Sequence, residues 1–121
     1  MIGFHDSTLT GFVRDGNDVL LQIEDVTIDD EKGLRQEQGV LHICDVSQLT
    51  ENGRLVQLPS YRFEFGNVLG LHVRERPIRL LVEWESFSPR ESQFAEYAIT
   101  GSEATWRPGE QVASLVAPQA P

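Results

Sequence analysis

The chain has 121 residues and a mass of 13.6 kDa, enough for one domain that buries about two-thirds of its unfolded surface without metal or disulfide staples. Its net charge is −9, which repels phosphate backbones and anionic bilayers and so argues against nucleic acid and membrane partners. An apolar fraction of 40% and a charged fraction of 24% are ordinary globular usage, and no apolar run approaches the roughly 20 residues needed to span a bilayer.

The opening, Met1 to Asp6, lacks the basic start and apolar stretch of a secretory leader. Cys44 is the single cysteine, so no intramolecular disulfide can form, and a reducing, cytoplasmic setting is expected. Nine of the ten basic residues are arginine, Lys32 being the one lysine, a bias compatible with a GC-rich bacterial genome.

Alternation with period two dominates the chain. Ser7 to Arg14 reads as a strand with Leu9 and Val13 on one face and Thr8, Thr10 and Phe12 on the other. Asp15-Gly16-Asn17-Asp18 is a turn signal, and Val19 to Ile28 follows as the partner strand of a β-hairpin. Asp29 to Gln38 is polar and aperiodic, which predicts an exposed loop. Gly39 to Val46 is apolar on both faces, as expected of a strand covered on both sides.

Asn52-Gly53 marks the next turn, and Pro59-Ser60 ends the short segment Leu55 to Leu58. Tyr61, Phe63 and Phe65 alternate with Arg62 and Glu64, and Val68 to Val73 makes a weaker strand interrupted by Gly70. After the polar turn Arg74 to Pro77, Ile78 to Phe87 is the strongest strand, with Ile78, Leu80, Val82 and Trp84 facing inward. Gln93 to Thr100 puts Ala95, Tyr97 and Ile99 on one face, and Ala104 to Trp106 is a short further strand. Residues 107–121 read as a C-terminal extension, with two helical turns over Glu110 to Ala117 and a frayed end. The expected fold is one all-β domain over residues 1–106, an antiparallel barrel or two-sheet sandwich of seven to eight short strands.

No motif names a reaction, and none implies a cofactor. His5-Asp6-Ser7 has the residue types of a hydrolase triad, but adjacent residues on an extended chain point apart. Asp6 or Ser7 is expected instead to bond local backbone. His42 and Cys44 share a strand face, yet two ligands do not make a metal site, so no metal is expected. Glu83 and Glu85 sit on a solvated face, and Asp29-Asp30-Glu31 has too few alternating oxygens for a calcium loop. Arg74, Arg76 and Arg79 form the one basic island, able to hold a carboxylate or phosphate or to pair with neighbouring acids.

Phe4-His5-Asp6-Ser7-x-Leu9, followed by Asp15-Gly16-Asn17 and Val19-x-Leu21-x-Ile23, resembles the opening of small bacterial β proteins, some of them similar to immunity proteins of toxin systems. That resemblance implies an acidic, non-enzymatic partner-binding protein and brings no catalytic residues.

The charge is uneven. Ten acids between Asp15 and Glu51 face only Lys32 and Arg35, leaving a charge of −8 in that third of the chain. The leading expectation is therefore a cytosolic protein-binding domain that meets a basic protein partner through Asp29, Asp30, Glu31 and Glu37. The alternative is a small-ligand-binding or enzymatic barrel whose interior pocket is lined by Tyr61, Phe63, Trp84 and Tyr97. A homodimer through an uncovered strand edge is a third expectation.

Overall fold

A computed structural model describes residues 2–60, 63–87 and 89–115. Among them are the strands β1 (Ile2–Gly3), β2 (Thr8–Asp15), β3 (Asp18–Asp30), β4 (Gly33–Cys44), β5 (Gln48–Glu51) and β6 (Arg54–Leu55). There follow β7 (Phe65–His72), β8 (Ile78–Phe87), β9 (Arg90–Thr100), β10 (Glu103–Pro108) and one helical turn, α1 (Val112–Leu115). Every pairing is antiparallel, in one open sheet ordered β10-β4-β3-β2-β7-β8-β9-β5-β6, with β1 added against β3. The all-β antiparallel class is as expected. The described strands number ten rather than seven or eight, because short pieces such as β1 and β6 carry too few residues to alternate visibly.

The β2–β3 hairpin closes through Gly16 and Asn17, with Gly16 at φ +63°, a conformation that costs glycine nothing. Thr10 is an extra residue in β2, since Leu9 faces Ile23 and Gly11 faces Gln22. The bulge reverses the parity of the strand, as one inserted residue must. Phe12, expected on the face opposite Leu9, packs on the same core, with its ring 5.3 Å from that of Tyr97, and Val13 is not part of that core. A second bulge between Ile23 and Val26, with Asp25 at φ +59°, lets Val26 and Ile28 stay buried on the same side as Ile23.

The inner faces of β2–β3–β4 and of β7–β8–β9 share one core, which joins Leu9, Leu21 and Ile43 to Val82, Tyr97 and Ile99. Full burial of each such side chain contributes about 1.5–3 kcal/mol. Leu20 and Val40 are buried on the opposite face of β3 and β4, so β4 is covered on both sides as its sequence predicts. The C-terminal segment lies on that outer face. Gln22 clamps it there: Val112 N–H donates to Gln22 Oε1 at 2.9 Å, and Gln22 Nε2 donates to Gly39 O at 3.1 Å. The predicted two-turn helix is a single turn as far as Leu115, and Val116 and Ala117 lie outside the described residues.

Candidate functional site

The stretch expected as a loop, Asp29 to Gln38, is a β-hairpin. Asp29 faces Leu34 and Asp30 faces Gly33, so Glu31 and Lys32 form a two-residue turn, with Gly33 at φ +103°. The sequence hides these strands because they run beyond the core: with both faces in water there is no buried side to impose alternation. Leu34 is 74% exposed near the tip. Asp29, Asp30 and Glu31 cluster there, and Glu37 lies further back on β4.

The acids on the hairpin are partly engaged. Arg35 grips Asp30 with both guanidinium ends, at 2.8 and 3.1 Å, and Lys32 N–H adds a third bond at 2.9 Å. Hydrogen bonding from Arg35, then from Lys32, holds the Asp30 carboxyl below its ordinary range. Glu37 accepts from Trp106 Nε1 at 3.0 Å, which fixes the indole against the root of the hairpin.

The aromatic residues expected to line an internal pocket, Tyr61, Phe63, Trp84 and Tyr97, are not all placed alike. Tyr97 is wholly buried and fills the core, with Trp84 Nε1 donating to its hydroxyl at 3.0 Å. That hydroxyl donates in turn to Glu51 Oε2 at 2.6 Å, and Ser60 N–H reaches the same oxygen at 2.9 Å. Burial works to raise the Glu51 carboxyl, but the hydrogen bonds from Ser60 and Tyr97 outweigh it and hold the group below its ordinary value. Phe63 and an edge of Trp84 line a small cleft of about 220 Å³ with Phe12 and Leu58. Tyr61 lies outside the described residues. Glu51 itself was invisible to sequence reasoning, since it stands beside the turn residues Asn52-Gly53 and shows no apolar context.

His5 and Asp6 approach each other at the surface, with His5 Nε2 3.5 Å from Asp6 Oδ1, but Ser7 does not join them. Ser7 is buried with its hydroxyl on the Phe4 carbonyl, while exposed His5 bonds Leu69 O through Nδ1 at 2.7 Å. Glu83 and Glu85 share an outer face with Asn67, whose Nδ2 donates to Glu85 Oε2 at 2.6 Å. Two exposed apolar groups, Leu81 and Phe94, flank them there.

His42 and Cys44 do share a face, and Asp18 joins them, so that one ligand atom from each lies within 4.8 Å of the others. His42 Nε2 is 2.7 Å from Asp18 Oδ2, and Arg107 Nε donates to His42 Nδ1 at 3.2 Å. Arginine has no acceptor, so Nδ1 supplies a lone pair and the hydrogen-bond network assigns the ring proton to Nε2. The bond to His42, aided by Asp45 N–H, lowers the Asp18 carboxyl. Burial, reinforced by Asp18, Glu103 and Asp45, pushes the Cys44 thiol up, which opposes nucleophilic use.

No described helix is long and apolar enough to cross a membrane. No family model matches the chain, and no curated protein or solved structure matches it.

Proposed function

We propose that this chain is a non-enzymatic bacterial protein of the cytoplasm that binds a basic protein partner, immunity-like in character, through its β3–β4 hairpin. The observation that carries this reading is the hairpin itself: it projects past the core and presents Asp29, Asp30 and Glu31 beside an exposed Leu34. An apolar residue among carboxylates offers both contact area and a field that steers a cationic surface into place. The wider charge distribution supports it, with −8 of the −9 carried between Asp15 and Glu51. The burial of Ser7 on the Phe4 carbonyl, apart from the exposed His5–Asp6 pair, and the raised Cys44 thiol favour binding over catalysis. The exposed Leu55 of β6, at one end of the sheet, is where a homodimer through a strand edge would form.

The test is a photo-crosslinker at position 34 in host lysate, followed by association kinetics with the captured protein. Asp29→Asn, Asp30→Asn and Glu31→Gln together should slow association severalfold and flatten its salt dependence, leaving dissociation less affected. An on-rate indifferent both to the triple substitution and to salt overturns the reading.

A further inference from the structure

We infer that the cleft between β1, β10 and the β7–β8 turn binds a small amphiphilic carboxylate, its apolar body against Phe4 and Trp106 and its head at Arg74 and Arg76. This site is separate from the acidic hairpin. The cleft has a volume of about 1070 Å³, at the upper end of what a small-molecule site requires.

Its floor is apolar and pre-arranged. Phe4 and Trp106 meet edge to face with ring centroids 5.4 Å apart, and the bond from Trp106 Nε1 to Glu37 fixes the indole plane. Leu41, Leu71 and Val73 extend that surface, and Leu71, Val73 and Trp106 remain only half-buried although they pack on the core. A ligand's hydrocarbon would complete their burial, at about 25 cal/mol per Å² covered.

The rim has the opposite sign from the rest of the protein. Two members of the one basic island in the sequence, Arg74 and Arg76, line the cleft, and both are exposed. Arg76 spends one guanidinium nitrogen on the carbonyls of Val73 and Glu75, at 3.0 and 2.9 Å, which orients the group. Arg74 forms no ion pair among the described residues, although acids outnumber bases 19 to 10. The acid between them, Glu75, also lines the cleft, with its carboxylate 3.7 Å from Arg79 Nε, so the rim carries two guanidinium groups against one carboxylate. A carboxylate matches a guanidinium in shape as well as charge, by paired N–H···O bonds. Long-range repulsion by the net charge does not forbid an anion here, because screening limits it to about 8 Å at physiological ionic strength.

The experiment titrates the isotope-labelled full chain with decanoate and follows the two indole N–H signals by NMR. Decylammonium, with the same body and the opposite head, is the control. Decanoate should shift the Trp106 signal saturably and leave that of core Trp84 in place, and decylammonium should bind at least about tenfold more weakly. Arg74→Gln with Arg76→Gln should weaken decanoate by a similar factor while the Trp84 signal reports an unchanged fold. Ala104→Leu, which adds bulk to the cleft lining and keeps both arginines, should weaken decanoate binding as well. Absence of saturation at millimolar decanoate, equal binding of decylammonium, or indifference to the arginine pair each overturns the assignment.

Discussion

The hydroxyl of Tyr97 reaches Glu51 Oε2 across 2.6 Å inside the core, and it also accepts from Trp84 Nε1 at 3.0 Å. The bond joins β9 to β5 and lets a phenol and a carboxylate be buried together. Tyr97→Phe removes a donor from Glu51 and an acceptor from Trp84 while keeping the ring. Leaving such groups unsatisfied costs about 1–3 kcal/mol. Urea unfolding should report a loss in that range, and a change below about 0.5 kcal/mol would mean that the chain of bonds contributes nothing.

Acid should weaken the fold through identifiable groups. Glu51 and Asp18 both have folded-state carboxyls held below their ordinary values. The unfolded chain therefore takes up protons first, and the stabilisation is present above the ordinary carboxylate range of about pH 4 and lost as pH falls through the folded values. Stability measured from neutral pH to about pH 3 should decline, and the gap between wild type and Glu51→Gln should narrow on the acid side. A gap that stays constant with pH would refute the assignment to Glu51.

Much of the fold is legible from alternation alone. Ile78, Leu80, Val82 and Trp84 face inward as predicted, as do Ala95, Tyr97 and Ile99, because each run has one wet and one dry face. The inserted residues are not legible. Thr10 in β2 and Leu69 in β7 break the period by one, and only pairing with the neighbouring strand shows where. The sites were harder still. The cleft is assembled from Phe4, Leu41, Leu71 and Trp106, which lie far apart in the chain, and its one local signal was the run Arg74 to Arg79. Tyr97 read as pocket lining because no local pattern reveals that Glu51 waits for its hydroxyl.

Close packing of β10 on β4 gives a third prediction. A Cβ on Gly39 would stand 2.5 Å from Arg107 O and 2.8 Å from the Trp106 ring. The carbonyl belongs to the β10 backbone, so it cannot swing aside as a flexible side chain would. Gly39→Ala should destabilise by about 1–3 kcal/mol, the usual cost of overpacking, and should red-shift the emission of Trp106 as β10 lifts. Gly3→Ala is the control, since its Cβ would meet Thr27 O at an ordinary 3.8 Å. Equal effects at the two positions would show that the approach of β10 to Gly39 is looser than it looks.

The cluster of Asp18, His42 and Cys44 invites zinc, and its surroundings argue against it. Zinc on His42 Nε2 would move the ring proton to Nδ1, where it would confront the Arg107 Nε–H now 3.2 Å away. Zinc also needs the Cys44 thiolate, which burial and three nearby carboxylates disfavour. Protein purified without an affinity tag should therefore hold no stoichiometric zinc, and a chelator should leave its melting temperature unchanged. The same environment predicts slow alkylation of Cys44 at neutral pH, made faster by Asp18→Asn, which removes one of the carboxylates. A full equivalent of zinc that disappears in Cys44→Ala would reverse this conclusion, because it would require Arg107 to leave His42 and the thiol to ionise against its neighbours.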